Sequence, residues 1–312
     1  MTPDGQPLIV LTGPTGVGKT ATAIRLAQTL GGEIVNADSR YLYRGFDIGV
    51  AKPTAEERAL VPHHLIDILP PDGEMSLHLF QELATTTIQD IQRRDRVPLL
   101  VGGTVLYLNA VVEGWHIPQV PPDEAFRRAA EAEVGRDGGA GLRAHLASID
   151  PVAADRSGAN MRRVIRALEI HRATGTPMSV LEGRGRPPFR ALEVALSMSR
   201  EALHARLDAR IDGLLENGLV EEVRGLLARG VPETAPAMSS IGYRQLIPYL
   251  HGEASLDAVT ERIRVDTRRY VRHQETWLRR NARLRRIDVT VEGWDADLEG
   301  TARRFLSESA DR

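Results

Sequence analysis

Four residues, Gly13, Gly18, Lys19 and Thr20, stand in the spacing G-x-x-x-x-G-K-[ST] within the stretch GPTGVGKT. The apolar run LIVLT precedes this stretch and ATAIRLAQTL follows it, which predicts a strand, a glycine-rich turn and a helix. Such a turn points successive backbone N–H groups inward, and the helix directs its positive end to the same place. We therefore predict a polyphosphate cradle, formed by Gly13, Pro14, Thr15, Gly16, Val17, Gly18, Lys19 and Thr20.

Two side chains of this loop carry specific chemistry. Lys19 supplies a positive charge to the phosphate, and Thr20 offers its hydroxyl to Mg²⁺. The chain contains only two lysines, Lys19 and Lys52, beside many arginines, and a lysine suits a point-charge contact with phosphate. The motif does not reveal what the polyphosphate is attached to.

Asp38, in the stretch NADS, is the nearest carboxylate at the end of a predicted strand. Hydrolases of the P-loop class carry a further Asp at the end of a hydrophobic strand, where it holds Mg²⁺. Here VPLLVGGT ends without an acid, which argues against a motor or switch ATPase. Asp38 is a candidate base or metal ligand beside the phosphate loop. The alternative is a carboxylate that only caps a turn or helix.

Strand and helix patterns must bring these residues together. Short apolar runs at 8–13, 33–38 and 97–103 alternate with helical patterns, of which the longest is 76–94, and HHLIDIL is a further possible strand. A further strand, ALEVALSMS, returns to the sheet near residue 191. The alternation predicts a P-loop NTPase-like parallel sheet flanked by helices, with ligands at the carboxyl ends of its strands.

Two proline-rich stretches, HIPQVPPDEAF and GRGRPPF, bracket a segment with helical periodicity throughout. We predict that residues 116–189 form an inserted all-helical subdomain. Residues 1–115 plus 190–312 then form the α/β core, and its C-terminal part, 200–286, is expected to be helical.

The composition excludes several classes of protein. The chain has 312 residues, of which 42% are hydrophobic and 26% charged, as in globular proteins. It has no cysteine, which excludes disulfides, a thiol nucleophile and a cysteine-ligated zinc site. No apolar stretch approaches 18 residues and no basic segment precedes the first apolar run, so we expect a cytoplasmic protein with no membrane partner.

Residues 262–286 contain ten arginines and one histidine but only two acids. Arg262, Arg269, His273 and Arg280 follow helical spacing and predict one basic stripe. A second basic cluster, Arg162, Arg163 and Arg166, lies in the inserted segment. These clusters indicate contact with a polyanion such as a nucleic acid, and the alternative is a solvated helix face.

Three functions remain open on these features. A small-molecule kinase would bind ATP at the loop and use Asp38 to take a proton from a hydroxyl. A transferase that releases pyrophosphate would bind a diphosphate ester there, with the carbon to be attacked facing Asp38. The third possibility is a nucleic-acid-binding protein whose loop only senses nucleotide.

Six stretches, in this order and spacing, closely resemble the bacterial tRNA dimethylallyltransferase (tRNA isopentenyltransferase) family: GPTGVGKT, ADSRYLYRGFDIGVAKP, VGGTVLYL, MRRVIRALEI, SSIGYRQ and YVRHQETWLRR. The resemblance covers most of residues 8–286. It implies transfer of a dimethylallyl group from dimethylallyl diphosphate to the exocyclic amine of the adenosine just 3′ of the anticodon. It further implies that Mg²⁺ takes part in the reaction, that diphosphate is released and that the enzyme is a monomer.

The resemblance also implies roles for particular residues. Asp38 corresponds to the general base, Thr104 to a tRNA contact near the reaction centre, and Arg206 or Arg210 to an arginine on the diphosphate. The candidate catalytic residues are Asp38, Thr104, Lys19 and Arg210. Implied tRNA contacts are Asp38, Ser39, Arg40, Tyr41, Thr104, Arg127, Met161, Arg162, Arg163, Arg166, Ser239, Ser240, Ile241, Gly242, Tyr243, Arg244, Arg272, His273, Gln274 and Arg279. Tyr41, Asn160 and His273 depart from the residues usual in the family.

Overall fold

The computed structural model describes residues 5–310, which contain eight strands and fourteen α-helices. The strands are β1 (Pro7–Thr12), β2 (Gly32–Asn36), β3 (His63–His64), β4 (Val97–Val101), β5 (Trp115–His116), β6 (Gly183–Arg184), β7 (Arg190–Ser197) and β8 (Arg285–Asp288). The helices are α1 (Lys19–Leu30), α2 (Ala55–Leu60), α3 (Leu77–Arg93), α4 (Val105–Glu113), α5 (Glu124–Asp137), α6 (Ala140–Ile149), α7 (Pro151–Ser157), α8 (Met161–Thr174), α9 (Met178–Leu181), α10 (Arg200–Glu216), α11 (Leu219–Ala228), α12 (Tyr243–Leu250), α13 (Leu256–Arg280) and α14 (Trp294–Ala310). A 3₁₀ helix spans Pro236–Ser239.

Six strands form one sheet in the order β3-β2-β4-β1-β7-β8, and every pairing in it is parallel. This confirms the predicted parallel sheet flanked by helices. The middle strand β1 is apolar along its length because both of its faces are covered. Leu8 and Val10 join the cluster that contains α3, α4 and α11–α13, while Ile9 and Leu11 join the cluster with α1 and α14.

The chain divides into two compact units. The α/β unit runs up to Val112 and resumes at Pro188, and the second unit is Glu113–Pro187, against the predicted limits of 116–189. The second unit packs α5–α8 around a core that includes Leu142, Leu146 and Val164. It also has one short antiparallel pair of strands, β5 with β6, which the sequence pattern did not predict.

Two predicted elements have different bounds in the structure. The possible strand HHLIDIL contributes only His63–His64, because Leu65 and Asp67 adopt φ values of 60° and 59°, which end the extended backbone. The helix predicted at 76–94 is confirmed as α3, and its buried face is Phe80, Ala84, Ile88 and Ile91.

The C-terminal basic segment is a helix for only part of its length, whereas the prediction made it helical to residue 286. α13 ends at Arg280, where the side-chain Nδ2 of Asn281 donates to Glu193 at 3.0 Å and Arg283 Nε donates to the same carboxylate at 2.8 Å. The chain then adds β8 to the edge of the sheet beside β7. Within residues 5–310, no helix combines the length and apolar character that crossing a bilayer requires.

Candidate active site

The glycine-rich loop joins β1 to α1 at the carboxyl edge of the sheet. Gly18 has a φ of 103°, a left-handed conformation that glycine adopts without strain, and it forms the N-cap of α1. The Lys19 ammonium group folds back over the loop and donates to the carbonyls of Gly13 at 3.0 Å and Pro14 at 2.9 Å. The loop therefore has the geometry of an anion cradle at a helix N-terminus.

The ends of β2 and β4 meet beside this loop. The Thr104 amide donates to the Ala37 carbonyl at 3.2 Å, and the Thr104 hydroxyl accepts from the Ser39 amide at 3.0 Å. Gly102 makes this approach possible, because a Cβ at that position would come within 2.2 Å of the Ala37 backbone. Asp38, Ser39 and Thr104 are thus held together at one edge of the sheet.

The loop and the strand ends open into one cleft of about 1270 Å³ within the α/β unit. This volume exceeds the range of roughly 300–1,000 Å³ that holds a typical small ligand. Most of the predicted site residues of this unit line it, namely Thr15, Gly16, Gly18, Lys19, Thr20, Asp38, Ser39, Arg40, Tyr41, Thr104, Arg210, Ser239, Ser240, Ile241, Gly242, Arg244 and His273. The cleft has room for a second group beside the ligand of the loop.

Two arginines one helical turn apart on α10 face the loop. The Arg206 guanidinium lies 3.5 Å from the position that a Cβ on Gly18 would occupy. Arg210 Nη2 donates to the Val50 carbonyl at 3.1 Å, and both side chains line the cleft. The two are not exclusive alternatives, because both lie where an anion in the loop would meet them.

Burial and neighbouring charges change the titration of two groups in the cleft. Burial lowers the pKa of Lys19 to about 8, against the opposing effect of the Asp38 carboxylate, and the Arg210 charge lowers it further. Burial, followed by the Asp38 charge, raises the pKa of Tyr41 to about 12. The Tyr41 hydroxyl therefore stays protonated at neutral pH, and it donates to the Ala51 carbonyl at 2.8 Å.

A metal ion at this site would have to take most of its ligands from the substrate and from water. Residues 5–310 contain no group of three or more acidic or histidine side chains that could hold a metal ion. Thr20 does line the cleft. Mg²⁺ characteristically keeps water and phosphate oxygens among its ligands, so this one protein hydroxyl fits a magnesium ion that arrives with a diphosphate.

Gln274, a predicted tRNA contact, lies in the interior. Its side-chain carbonyl accepts from the Thr15 amide at 2.9 Å, and its Nε2 donates to the Gly103 carbonyl at 3.2 Å. The side chain thus ties α13 to the phosphate loop and does not face an RNA. Its position on the buried face of the helix, between Val271 and Leu278, is the sequence signal for this role.

Some residues of the stretch SSIGYRQ lie in the core of the α/β unit, and others border the cleft. Tyr243 is fully buried and its hydroxyl contacts Glu222, so this predicted tRNA contact is a core residue. Ser240 is also buried and donates to the Ala237 carbonyl. Ser239, Ile241, Gly242 and Arg244 border the cleft together with Ser240.

Asp266 is a cleft residue that the sequence analysis noted only as one of two acids. It is buried, and its Oδ2 accepts from Gln245 at 2.7 Å, Arg262 at 3.2 Å and Arg244 at 3.3 Å. Burial raises the pKa of this carboxyl group, but the hydrogen bond from Gln245 and the charges of Arg262 and Arg244 together hold the pKa below its usual value. The carboxylate orients two arginines at the cleft.

The basic residues of α13 divide into those that form an ion pair and those that form none among residues 5–310. Arg262, a member of the predicted stripe, is in the first group because it pairs with Asp266. Arg264 and Arg268 form ion pairs with Asp212 and Asp208 of α10. Arg269 and His273 border the cleft and are exposed. Arg272, Arg279 and Arg280 are exposed further along the helix. Arg269, Arg272, Arg279 and Arg280 form no ion pair within the described part of the chain and are available to an external polyanion.

In the second unit, two of the predicted tRNA contacts serve a buried carboxylate. Arg127 Nε donates to Glu169 at 2.9 Å, and Arg166 pairs with the same residue. A buried carboxylate needs such partners, so both arginines have a structural function. Arg162 and Arg163 are exposed at the start of α8, and the Met161 sulfur accepts from Arg143 at 3.4 Å.

Comparison with known proteins gives a consistent result. Residues 41–281 match the family model described as IPP transferase. The chain is 52% identical over 307 residues to a tRNA dimethylallyltransferase of Thermomicrobium roseum, covering 98% of this chain and 93% of that protein. It is also 52% identical over 276 residues to a tRNA dimethylallyltransferase of Chloroflexus aurantiacus, covering 88% and 93% of the two chains.

Solved structures are similar over almost the whole chain. A full-length tRNA isopentenylpyrophosphate transferase of Bacillus halodurans superposes with a TM-score of 0.74 at 38% identity, covering 98% of both chains. A eukaryotic dimethylallyltransferase acting on tRNA superposes with a TM-score of 0.80 at 26% identity, covering 97% of this chain and 80% of that one.

Proposed function

This chain belongs to the IPP transferase family, and we propose that it transfers a dimethylallyl group from dimethylallyl diphosphate to tRNA. The acceptor is the exocyclic amine of the adenosine immediately 3′ of the anticodon, and diphosphate is released. One observation carries the proposal: the phosphate loop, a single strand-end carboxylate and a row of arginines border the same cleft.

The loop side of the cleft stabilises the leaving group. An exocyclic adenine amine is a poor nucleophile because its lone pair is delocalised into the ring, so the diphosphate must leave readily. The N–H groups of the loop, Lys19, Arg206 and Arg210 compensate the charge that develops on the diphosphate. Thr20 would hold a Mg²⁺ ion together with phosphate oxygens of the substrate, and the ion would supply further positive charge to the leaving group.

Asp38 accepts the proton of the amine as the new carbon–nitrogen bond forms. Its Oδ1 accepts from the Arg40 amide at 3.0 Å, and its own amide donates to Asn36 at 2.8 Å. These bonds orient the carboxyl group. Oδ2 has no hydrogen-bond partner among residues 5–310 and is available for the proton.

The tRNA presents the acceptor base from an unpaired loop. Moving an unpaired loop adenosine out of its stack costs a free energy of about a few kcal/mol. The extruded base can then enter a cleft of this size. Tyr41 and Tyr270 border the cleft and offer their rings to the base, whereas Tyr43 and Tyr107 pack in the core. We propose that Arg269, Arg272, His273, Arg279, Arg280 and, in the second unit, Arg162 and Arg163 contact phosphates. From the family resemblance we propose a monomer that acts in the cytoplasm, where tRNA is used.

Incubation with labelled dimethylallyl diphosphate, Mg²⁺ and unmodified tRNA tests the function. We expect the label in one nucleoside of the tRNA digest, the N6-substituted adenosine. ATP consumption with a phosphorylated small molecule and no label in RNA would indicate the kinase instead. Nucleotide binding without either reaction would indicate a nucleotide-sensing RNA-binding protein.

Replacing Arg269 and Arg280 together by Ala is expected to weaken tRNA binding and to flatten its dependence on salt. Each lost phosphate contact reduces the slope of log K against log salt by roughly 0.7 to 0.9. Filter binding over a series of salt concentrations measures this slope. As a control, Arg93→Ala with Arg303→Ala removes the same charge from α3 and α14. An unchanged slope in the α13 variant would make the stripe a solvated face.

Replacing Asp266 by Asn is expected to weaken tRNA binding about three- to tenfold, although the change removes a negative charge from a cleft for a polyanion. Asn cannot make the charge-assisted bonds that orient Arg244 and Arg262, so both guanidinium groups lose their fixed position. The tRNA dissociation constant is the readout. The control is Asp257→Asn, an exposed acid on the same helix, for which affinity should stay equal or rise. An Asp266→Asn variant that binds tRNA more tightly would refute the orienting function.

A further inference from the structure

The carboxylate of Glu222, on the first turn of α11, is bound by a run of backbone N–H groups. Its Oε2 accepts from the amides of Asp47 at 2.9 Å and Ile48 at 2.8 Å, and its Oε1 accepts from the amide of Gly49 at 3.2 Å. The Tyr243 hydroxyl donates to Oε1 as well. Consecutive N–H groups of this kind form an anion-binding nest, and here the anion belongs to the protein itself.

The next two residues of the same loop hold groups of the active site. The Val50 carbonyl accepts from Arg210 at 3.1 Å, and the Ala51 carbonyl accepts from the Tyr41 hydroxyl at 2.8 Å. Ala51 has a φ of 49°, a left-handed conformation that costs free energy for any residue with a Cβ and persists only where neighbouring contacts impose it. The direction of both carbonyls therefore depends on how firmly the loop is anchored.

The loop of residues 47–52 is anchored at both ends, with residues 47–49 as its near end and Lys52 as its far end. Lys52 is buried and donates to the Tyr43 carbonyl at 2.8 Å, to Asp47 at 2.7 Å and to Asp67 at 2.6 Å, which fixes the far end. Glu222 fixes the near end. Gly49 is needed for this arrangement, because a Cβ there would come within 2.4 Å of the Tyr243 ring.

We propose that Glu222 is a positioning residue for the transfer reaction, which anchors residues 47–49 so that the carbonyls of Val50 and Ala51 hold Arg210 and Tyr41 at the cleft. The inference rests on the proposed function for its assay. It assigns a function to a side chain that does not itself border the cleft and acts only through the loop.

The site requires a carboxylate and not merely a side chain of this size. Four donors point at the two oxygens of Glu222, so both oxygens must be acceptors. A Gln of nearly the same shape would direct its NH₂ group either at the Asp47 and Ile48 amides or at the Gly49 amide and the Tyr243 hydroxyl. The Gly49 amide also donates to the Tyr243 oxygen at 3.1 Å, but the half-buried Ile48 amide or the buried Tyr243 hydroxyl would lose its acceptor. Glu222→Gln thus disturbs the nest with little change in volume.

The matched control lies next to it in the sequence. Glu221 is exposed on the same turn of α11, and within residues 5–310 its one ion pair is with Arg224, at 3.5 Å. Glu221→Gln makes the same chemical change without touching the loop. We expect kcat/KM for dimethylallyl diphosphate to fall at least tenfold in Glu222→Gln, with tRNA affinity within twofold of the unmodified protein, and no change in Glu221→Gln.

A double-mutant cycle with Arg210→Ala separates positioning from general destabilisation. If Glu222 acts through Arg210, adding Glu222→Gln to Arg210→Ala costs much less than Glu222→Gln alone. Additive losses, or a kcat/KM for Glu222→Gln within twofold of the unmodified protein, would overturn the proposal. If Glu222→Gln does not yield folded protein by thermal melting, Glu222→Asp, which keeps the charge but shortens the reach, is expected to give the same non-additivity.

Calorimetric binding of inorganic pyrophosphate to the same four proteins gives a readout that does not depend on turnover. We expect Glu222→Gln to weaken pyrophosphate binding, with no further loss once Arg210 is absent. If the unmodified protein does not label tRNA but this binding pattern holds, the proposed function fails and the positioning inference stands. If labelling is normal but the binding cycle is additive, the positioning inference fails alone.

Discussion

Replacing Asp38 by Asn is expected to lower kcat by a factor of roughly 100 to 10,000, the range in which general bases contribute, with tRNA affinity within a few fold. Asn keeps an oxygen that can accept from the Arg40 amide, so the local geometry survives. It cannot take up the proton of the amine. The reaction then has to release that proton to water or proceed through a charged product.

Single-turnover transfer of label, with enzyme in excess over tRNA, measures this effect directly, and filter binding measures the tRNA affinity separately. The assay belongs at a pH below 8, because the Asp38 charge raises the pKa of Lys19 and its removal makes Lys19 easier to deprotonate. Asp72→Asn, an exposed acid outside the cleft, is the control. Normal turnover in Asp38→Asn would exclude Asp38 as the base, and equal losses in turnover and affinity would make it a binding residue.

The phosphate loop, Asp38 and Thr104 could be predicted from the sequence because each depends on residues close to it in the chain. The loop needs a strand, glycines and a helix within about a dozen positions, and Asp38 and Thr104 follow predicted strands. Parallel strands bring their carboxyl ends to one edge of a sheet, so predicting the strands was enough to place these side chains together. The structure adds the hydrogen bonds that hold them there.

Assignments that depend on distant partners could not be made in the same way. Arg127 and Arg166 form a basic cluster in the sequence, but Glu169, which both of them bind, becomes buried only when the second unit packs. Gln274 stands among arginines in the sequence and inside the α/β unit in the structure. A sequence pattern shows which residues carry charge or hydrogen-bonding groups, but it does not show which partners use them.

The wrong end of the predicted C-terminal helix has a similar origin. The basic residues of 281–286 continue the composition of α13, yet Asn281 and Arg283 bind Glu193 on β7 and redirect the chain into β8. A contact with a strand some ninety positions earlier thus ends the helix. Local propensity alone favours continuing the helix through these arginines.

Replacing Lys19 by Ala is expected to lower kcat by about 100- to 1000-fold, the usual loss when one donor to a developing anion is removed. Lys19 follows Gly18 at the first position of α1, so its charge adds to the positive end of the helix at the point where the diphosphate departs. Turnover with saturating substrates measures the effect. Lys19→Arg keeps the charge but not the compact ammonium group, and we expect only partial activity from it. Activity near that of the unmodified protein in Lys19→Ala would remove this residue from leaving-group stabilisation.

The pH dependence of pyrophosphate binding gives a separate test of the same residue. Burial lowers the pKa of Lys19 to about 8, so without a bound anion the Lys19 ammonium group loses its charge as the pH rises through that value. A bound anion favours the protonated form, so binding above this pH takes up a proton, and affinity should fall by up to about tenfold per pH unit. The neighbours set the direction of any shift in the midpoint: Arg210→Ala should raise it, because the Arg210 charge lowers the pKa, and Asp38→Asn should lower it, because the Asp38 charge raises the pKa. Lys19→Ala should abolish the transition, and a transition that survives this substitution would belong to another group.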